Sequence, residues 1–356
     1  MNDFLDSIKP SVRAISAYHL NGKHYEIKLN QNENPYDLPQ WLKDELLDEF
    51  RAFAWNRYPS FGNLRLIEKL SSHVQIEAGR LLVGNGSNEL LQTLIAASLS
   101  AGKKLLLVTP TFLIYQQLGR VAQADIREIE FEEDWSFPVN KILTTLEQEQ
   151  IELCIFCSPN SPTGTILKES DLIRILKKAK GLVLVDEAYH EFSKTSSLEL
   201  QSNFKNLIIT RTFSKAMGLA GLRIGYLIAH PALVTEINKA KLPYNLNIFS
   251  EFVASKLLDY YDLVTKNIEN ILSEKVRLTR KLLQFADVNV FPSEANFFMI
   301  KAPPRVPKLF DKLADKGILV RDISNYHMRL KNHLRISIGT AGENETLINS
   351  LKTTLF

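Results

Sequence analysis

The chain has 356 residues, 45% of them hydrophobic and 23% charged, with 15 glycines, 14 prolines and two cysteines, a composition that excludes disorder, collagen-like repeats and disulfide scaffolds. Its formal net charge is only +3, from 43 Lys and Arg against 40 Asp and Glu, and no basic run supplies the phosphate-neutralising stripe that nucleic-acid binding needs. No apolar run approaches the roughly 18 residues of a membrane span, and the opening MNDFLDSIKP carries acids where a secretion signal has bases, so a cytoplasmic protein with no membrane or nucleic-acid partner is expected.

The first residues show too little periodicity for a domain and are expected to pack with the C-terminal unit. From about residue 80 short apolar runs alternate with helix-length segments, the pattern of parallel strands joined by crossover helices. The predicted strands are RLLVG (80–84), KLLLVTP (104–110), IELCIFC (151–157), GLVLVDEA (181–188), NLIITR (206–211) and LRIGYLIA (222–229). Their near-continuous apolarity fits a sheet covered on both faces. Helices are predicted at 87–99, 168–180 and 231–241, where apolar residues recur every three or four positions. Beyond about 245 the pattern changes to a helical tract from Ile248 to Phe285, strands at VNVFP and NFFMIK, a helix near 306–316, strands ILVRDI and HLRISIG, and a closing helix. We therefore expect an α/β large domain over 30–245, with a mostly parallel central sheet covered by helices, and a smaller α+β domain made of 1–29 and 246–356.

Cys154 and Cys157 match the C-x-x-C redox spacing. They fall in a predicted buried strand, where residues three apart point to opposite faces, so two plain buried thiols are expected.

Four polar segments stand directly after predicted strands, at the sheet edge where open α/β folds bind ligands. Gly84-Asn-Gly-Ser-Asn-Glu89 lies between a strand and a helix and can bind an anion through backbone N–H groups. It lacks the third glycine of a dinucleotide fingerprint. Cys157-Ser-Pro-Asn-Ser-Pro-Thr-Gly164 is stiffened by prolines and is expected to project the Asn160 amide into the edge. LVLVDEAY ends a buried strand in Asp186, an acid that needs a cation or a protonated nitrogen as partner. Arg211-Thr-Phe-Ser-Lys215, continued to Arg223, sets a lysine among hydroxyls and an arginine, suited to a phosphorylated aldehyde: Lys215 as the condensing amine, Thr212, Ser214 and Arg223 on the phosphate. The seven histidines show no metal-ligand spacing, and no metal is expected.

With these segments in this order, together with LNQNENPY (29–36), RYPSFGNLRL, PTF and LRISIGT (334–340), nearly the whole chain resembles the fold-type I pyridoxal-phosphate aminotransferases, and within them the branch that acts on histidinol phosphate. The resemblance implies pyridoxal 5'-phosphate as cofactor, with Lys215 bonding it, Asp186 on the pyridine nitrogen, and Asn160 and Tyr189 on the ring oxygen. Thr212, Ser214, Arg223 and the backbone at Gly86, Ser87 and Asn88 would hold its phosphate, and Phe112 would stack on its ring. Tyr58 would reach the neighbouring subunit's site, which implies a homodimer. Arg335 and Arg321 would bind the substrate's acidic groups, with Asn32 and Tyr18 also on the substrate side. The implied reaction is a ping-pong exchange of an amino group between histidinol phosphate and 2-oxoglutarate, with Lys215 as base and the pKa of its aldimine lowered by the adjacent cofactor and by Arg223. Alternatives are an aromatic or broad-specificity aminotransferase and threonine-phosphate decarboxylase, and, from another class, a transcription regulator using the same fold. Three positions depart from the pattern: Ser161 for a second Asn, Phe112 for a Tyr, and His190 after DEAY.

Overall fold

The structure, a computed structural model, describes residues 4–16, 25–303 and 308–355. The first strand, β1 (Ile27–Lys28), lies apart from the large sheet. That sheet comprises β2 (Leu81–Gly84), β3 (Lys104–Thr109), β4 (Asp125–Glu130), β5 (Leu153–Cys157), β6 (Leu182–Asp186), β7 (Leu207–Thr212) and β8 (Gly225–Ile228), in the order β2-β8-β7-β6-β5-β3-β4. Neighbours run parallel except at β8, which is antiparallel to both β2 and β7.

The central strands are apolar throughout because both faces are buried. Along β5, Cys154 and Phe156 enter one hydrophobic cluster with Val183, Val185, Leu207 and Ile209, while Leu153, Ile155 and Cys157 enter another with Leu184 and Ile208. The two cysteines are thus free, buried and on opposite faces, as the period of a strand requires. β4, with the sequence DIREIE, escapes the apolar criterion because it is an edge strand paired only to β3, with its side chains exposed or half-buried.

Two glycines let the chain approach itself closely at the sheet edge. A Cβ on Gly225 would lie 2.3 Å from the backbone nitrogen of Ser87, so only glycine brings β8 against the start of the helix Ser87–Ser98. Gly86 has φ +77° and a Cβ there would lie 2.7 Å from Arg223 Nη2, a position open only to a residue without a side chain.

The C-terminal region carries a four-stranded antiparallel sheet in the order β12-β13-β10-β9, from β9 (Asn289–Val290), β10 (Phe297–Lys301), β12 (Arg321–Asp322) and β13 (His333–Ser337). The remaining strand, β11 (Ile318–Leu319), pairs in parallel with β1. The run ILVRDI is therefore two strands in two sheets, divided at the buried Val320. The predicted tract 248–285 is likewise two helices, Ile248–Leu257 and Tyr261–Leu282, separated by a single 3-10 turn. That turn is pinned from outside: Asp259 pairs with Lys69, and Tyr260 donates to Glu45 Oε1 at 2.7 Å. Helices Gln40–Phe50 and Leu64–Val74 precede the large sheet and pack against Ile248–Leu257.

Candidate active site

Five loops converge at the carboxyl ends of β2, β3, β5, β6 and β7, and face β13 and β12 across a cleft of about 440 Å³. Lys215 stands three residues past the end of β7, half-buried in the cleft. Its Nζ donates to the Gln31 carbonyl at 2.7 Å and lies 5.8 Å from the centre of the Tyr189 ring. Burial lowers its pKa to about 7, assisted by Arg335 and, more weakly, Arg223. Desolvation causes most of this depression of the free amine, and Arg335 contributes more than Arg223.

Asp186 ends β6 at 3% exposure. Its Oδ2 accepts from the Tyr115 hydroxyl at 2.6 Å and its Oδ1 from the Ala188 N–H at 3.2 Å. Burial raises its pKa, and the Tyr115 hydrogen bond opposes that rise. Tyr189, whose pKa burial pushes up to about 12, accepts at its hydroxyl from Asn32 Nδ2 at 3.0 Å. Asn32 in turn accepts from Ser337 Oγ at 3.0 Å, which ties β13 to the cleft floor.

On the anion side, Arg223 Nη1 donates to Ser214 Oγ at 3.1 Å, close to Gly86, and the helix beginning at Ser87 has no side-chain cap. Its first N–H groups are therefore available to an anion. The Thr212 hydroxyl is engaged within the turn, accepting from Ser214 N at 3.1 Å and donating to Ile224 O at 3.3 Å. Phe112 lines the cleft and meets Tyr115 edge-on, ring centres 5.5 Å apart.

Arg335 and Arg321 are direct cross-strand neighbours on β13 and β12, and both line the cleft. Arg335 donates from Nη1 to Ser161 Oγ and from Nη2 to the Asn30 carbonyl, each at 2.8 Å. Arg321 donates from Nε to the Tyr326 hydroxyl at 2.6 Å. The segment carrying Tyr326 is anchored by Arg329, which donates to the Phe131 and Glu132 carbonyls at 2.6 and 2.8 Å and lies 4.2 Å from the Trp135 ring centre.

Not every expected residue stands in this cleft. Asn160 does not line it: Thr111 Oγ1 donates to its Oδ1 at 2.7 Å, and its Nδ2 donates to Pro110 O and Thr163 Oγ1 at 3.1 and 2.9 Å. The amide is engaged in closing its own loop, and Ser161 is the residue that the loop presents to the cleft. Tyr58 lies outside it, 81% exposed and stacked on Tyr244 with ring centres 4.6 Å apart. Tyr18 falls outside the described residues. Sequence reasoning missed Tyr115, Tyr326 and the carbonyls of Asn30 and Gln31. Only the apolar-polar rhythm of IYQQLGRV, which puts Tyr115 on the sheet-facing side, carried a signal. Among the described residues no cluster of side chains could hold a metal ion, and no helix is long and apolar enough to cross a membrane.

A buried amine that is readily neutral, a carboxylate awaiting a cation, and an anion cradle between them define an enzyme site for a phosphorylated carbonyl cofactor. The chain matches the model of the family described as aminotransferase class I and II over residues 25–351, and it belongs to that family. It is 39% identical over 347 residues to the histidinol-phosphate aminotransferase of Chlorobaculum tepidum, covering 97% of this chain and 99% of that one. It is 41% identical to the protein of the same name from Prosthecochloris aestuarii, covering 98% of each. Among solved structures, the fold is similar to histidinol-phosphate aminotransferase from Sinorhizobium meliloti in complex with pyridoxal-5'-phosphate, with a TM-score of 0.88 at 20% identity and coverage of 97% and 96%.

Proposed function

We propose that this protein exchanges an amino group between histidinol phosphate and 2-oxoglutarate, giving imidazole acetol phosphate and glutamate, as a step of histidine biosynthesis. The observation that carries the substrate is the arginine pair. Like charges placed directly opposite on neighbouring strands are destabilising, and Arg321 and Arg335 occupy such positions in the cleft wall. A phosphate monoester, or the carboxylates of a 2-oxo diacid, offsets that repulsion and accepts the forked donors.

The residues fit pyridoxal 5'-phosphate. Arg223, Ser214, Thr212 and the free N–H groups at Ser87 and Asn88 would hold its phosphate beside Gly86, where no Cβ intrudes. Asp186 would meet the ring nitrogen, Tyr189 the ring oxygen and Phe112 the ring face. When bound, the cofactor supplies an electron sink that stabilises negative charge at the substrate α-carbon. Lys215, with a pKa of about 7, supplies a neutral amine near physiological pH and moves the proton at that carbon. Asp186 would hold a proton on the ring nitrogen, its carboxylate fixed in place by the Tyr115 hydroxyl. The two substrates use one cleft in turn, as two half-reactions require.

The exposed rings around Tyr58, which include Trp55, Phe61 and Tyr244, support a homodimer in which a second copy covers this face and receives Tyr58 at its site. Two free, buried thiols accord with work in the cytoplasm.

The test is the visible spectrum of the cofactor-loaded protein, taken before and after histidinol phosphate is added without any oxo acid. We expect the absorption band of the lysine-bound cofactor to disappear and the amine form to replace it. A band that an aromatic amino acid discharges but histidinol phosphate does not would overturn the substrate. Release of carbon dioxide from threonine phosphate would point to the decarboxylase instead.

A further inference from the structure

We propose that Glu89 is the positioning residue of the anion cradle: its side chain folds back over the turn that precedes its own helix and sets the N–H groups of Ser87 and Asn88 for an anionic group. This assignment rests on the aminotransferase reading and deepens it, because the anion is then the cofactor's phosphate.

The helix Ser87–Ser98 begins on Gly86, which has no side chain to cap it. Many helix starts are closed by a reciprocal pair, in which the residue before the helix caps the third helical N–H and a Glu at that third position reaches back to a backbone N–H. Only the second half of the pair exists here. Glu89 is the third helical residue, and its Oε2 accepts from the N–H of Asn85, one residue before Gly86. The Gly86 N–H is taken by the Gly84 carbonyl at 2.8 Å. The donors ahead of the helix are thus engaged while those of its first turn carry no side-chain cap, which sorts the N–H groups of the turn into anchored and available ones.

The same oxygen is held from a distant part of the chain. Asn245 Nδ2 donates to Glu89 Oε2 at 2.7 Å, and Lys241 Nζ donates to Asn245 Oδ1 at 2.7 Å. A lysine can only donate, so it turns the amide oxygen to itself and leaves the amide N–H for the carboxylate. Gly84 leaves room for the fold-back: a Cβ there would lie 2.7 Å from Leu90 Cγ and 3.0 Å from Glu89 Oε2. Ser87, Asn88 and Arg223 line the cleft and Glu89 does not, so the carboxylate grips the turn from outside the place the anion takes.

The experiment uses the full chain stripped of cofactor, as wild type, Glu89→Ala, Glu89→Gln and Asn245→Ala. Each is titrated with pyridoxal 5'-phosphate and with pyridoxal, which lacks the phosphate, and dissociation constants are read from the absorption band of the lysine-bound cofactor. The quantity that tests the proposal is the preference for the phosphorylated molecule, since a general loosening of the fold weakens both alike. Losing a helix-start contact of this kind predicts that Glu89→Ala lowers the preference about tenfold, with pyridoxal affinity within about twofold of wild type. Asn245→Ala, which leaves the helix start itself intact, should lower it about threefold, and Glu89→Gln, which keeps an acceptor for Asn85 and Asn245, should stay within about twofold of wild type. An unchanged preference in both alanine variants, or a Glu89→Gln as defective as Glu89→Ala, would overturn the assignment and leave the aminotransferase reading standing. A wild type that takes pyridoxal as tightly as its phosphate would overturn the cradle and the cofactor reading on which it rests.

Discussion

Two charge pairs on neighbouring strands show opposite solutions to burial. Behind the sheet edge, Glu187 and Arg211 face each other at 2% and 5% exposure, with Arg211 Nε and Nη2 donating to Glu187 Oε2 at 3.0 and 2.9 Å and Ser196 Oγ donating to the same oxygen at 3.1 Å. In the cleft, Arg321 and Arg335 stand opposite with like charge. The chain neighbours of the first pair, Asp186 and Thr212, belong to the cleft. A shift of one residue along the strand thus separates a buried ion pair from groups that line the cleft. The difference teaches that this fold ties opposite charges together behind its site and brings two cations together in the cleft wall.

Removing one partner of the rear pair should do the most damage. Glu187→Gln is expected to cost about 3–5 kcal/mol of stability by leaving Arg211 buried without its carboxylate, read by chemical denaturation. A double replacement, Glu187→Leu with Arg211→Met, should recover most of that loss, which would sharpen the distinction between a broken pair and an absent one.

Lys215 should come next. Its amine titrates near 10.5 ordinarily and at about 7 in the fold, so between those values the unfolded chain binds the extra proton. Stability of the cofactor-free protein should therefore rise with pH across that window, by a few kcal/mol in all. Lys215→Met should flatten the rise and abolish transamination. A wild-type melting temperature that fell from pH 7 to 10, with Lys215→Met parallel to it, would contradict the assigned burial.

The smallest effect on stability belongs to the front pair. Arg321→Ala relieves a like-charge contact and should change unfolding free energy by no more than about 1 kcal/mol. Its KM for the phosphate-bearing amine should nonetheless rise roughly 10- to 100-fold. A large destabilisation with unchanged KM would make Arg321 a structural residue.

Legibility in the sequence followed the same division. Lys215, Asp186 and Tyr189 were readable because each lies in a short polar break after an apolar strand, so local pattern alone sends it to the sheet edge. The β12–β13 neighbours were readable only through resemblance, because register across strands is not a local property. Asn160 was expected at the cofactor and Ser161 only as a departure from the pattern, because hydrogen bonds within a loop, which engage the Asn160 amide and leave Ser161 lining the cleft, are not written in its sequence. Tyr115 was hidden because an aromatic on a helix facing a sheet reads as core, and its hydroxyl meets Asp186 only after a crossover. Gln31 and Asn30 act through carbonyls, which every residue has. β4 was missed for a different reason, since an edge strand needs no continuous apolarity.

The pairing of β1 with β11 also has a temporal consequence. During synthesis, Ile27 and Lys28 emerge long before their partners Ile318 and Leu319, with the whole large sheet made in between. Gln31, which receives the Lys215 hydrogen bond, and Asn30, which receives that of Arg335, both follow directly from this strand. The nascent chain therefore carries its lysine, its acid and its anion cradle well before the strand that orients the lysine has anything to dock on. Assembly of a working centre waits until Ile318 and Leu319 have been made, because contacts between distant parts of a chain form last.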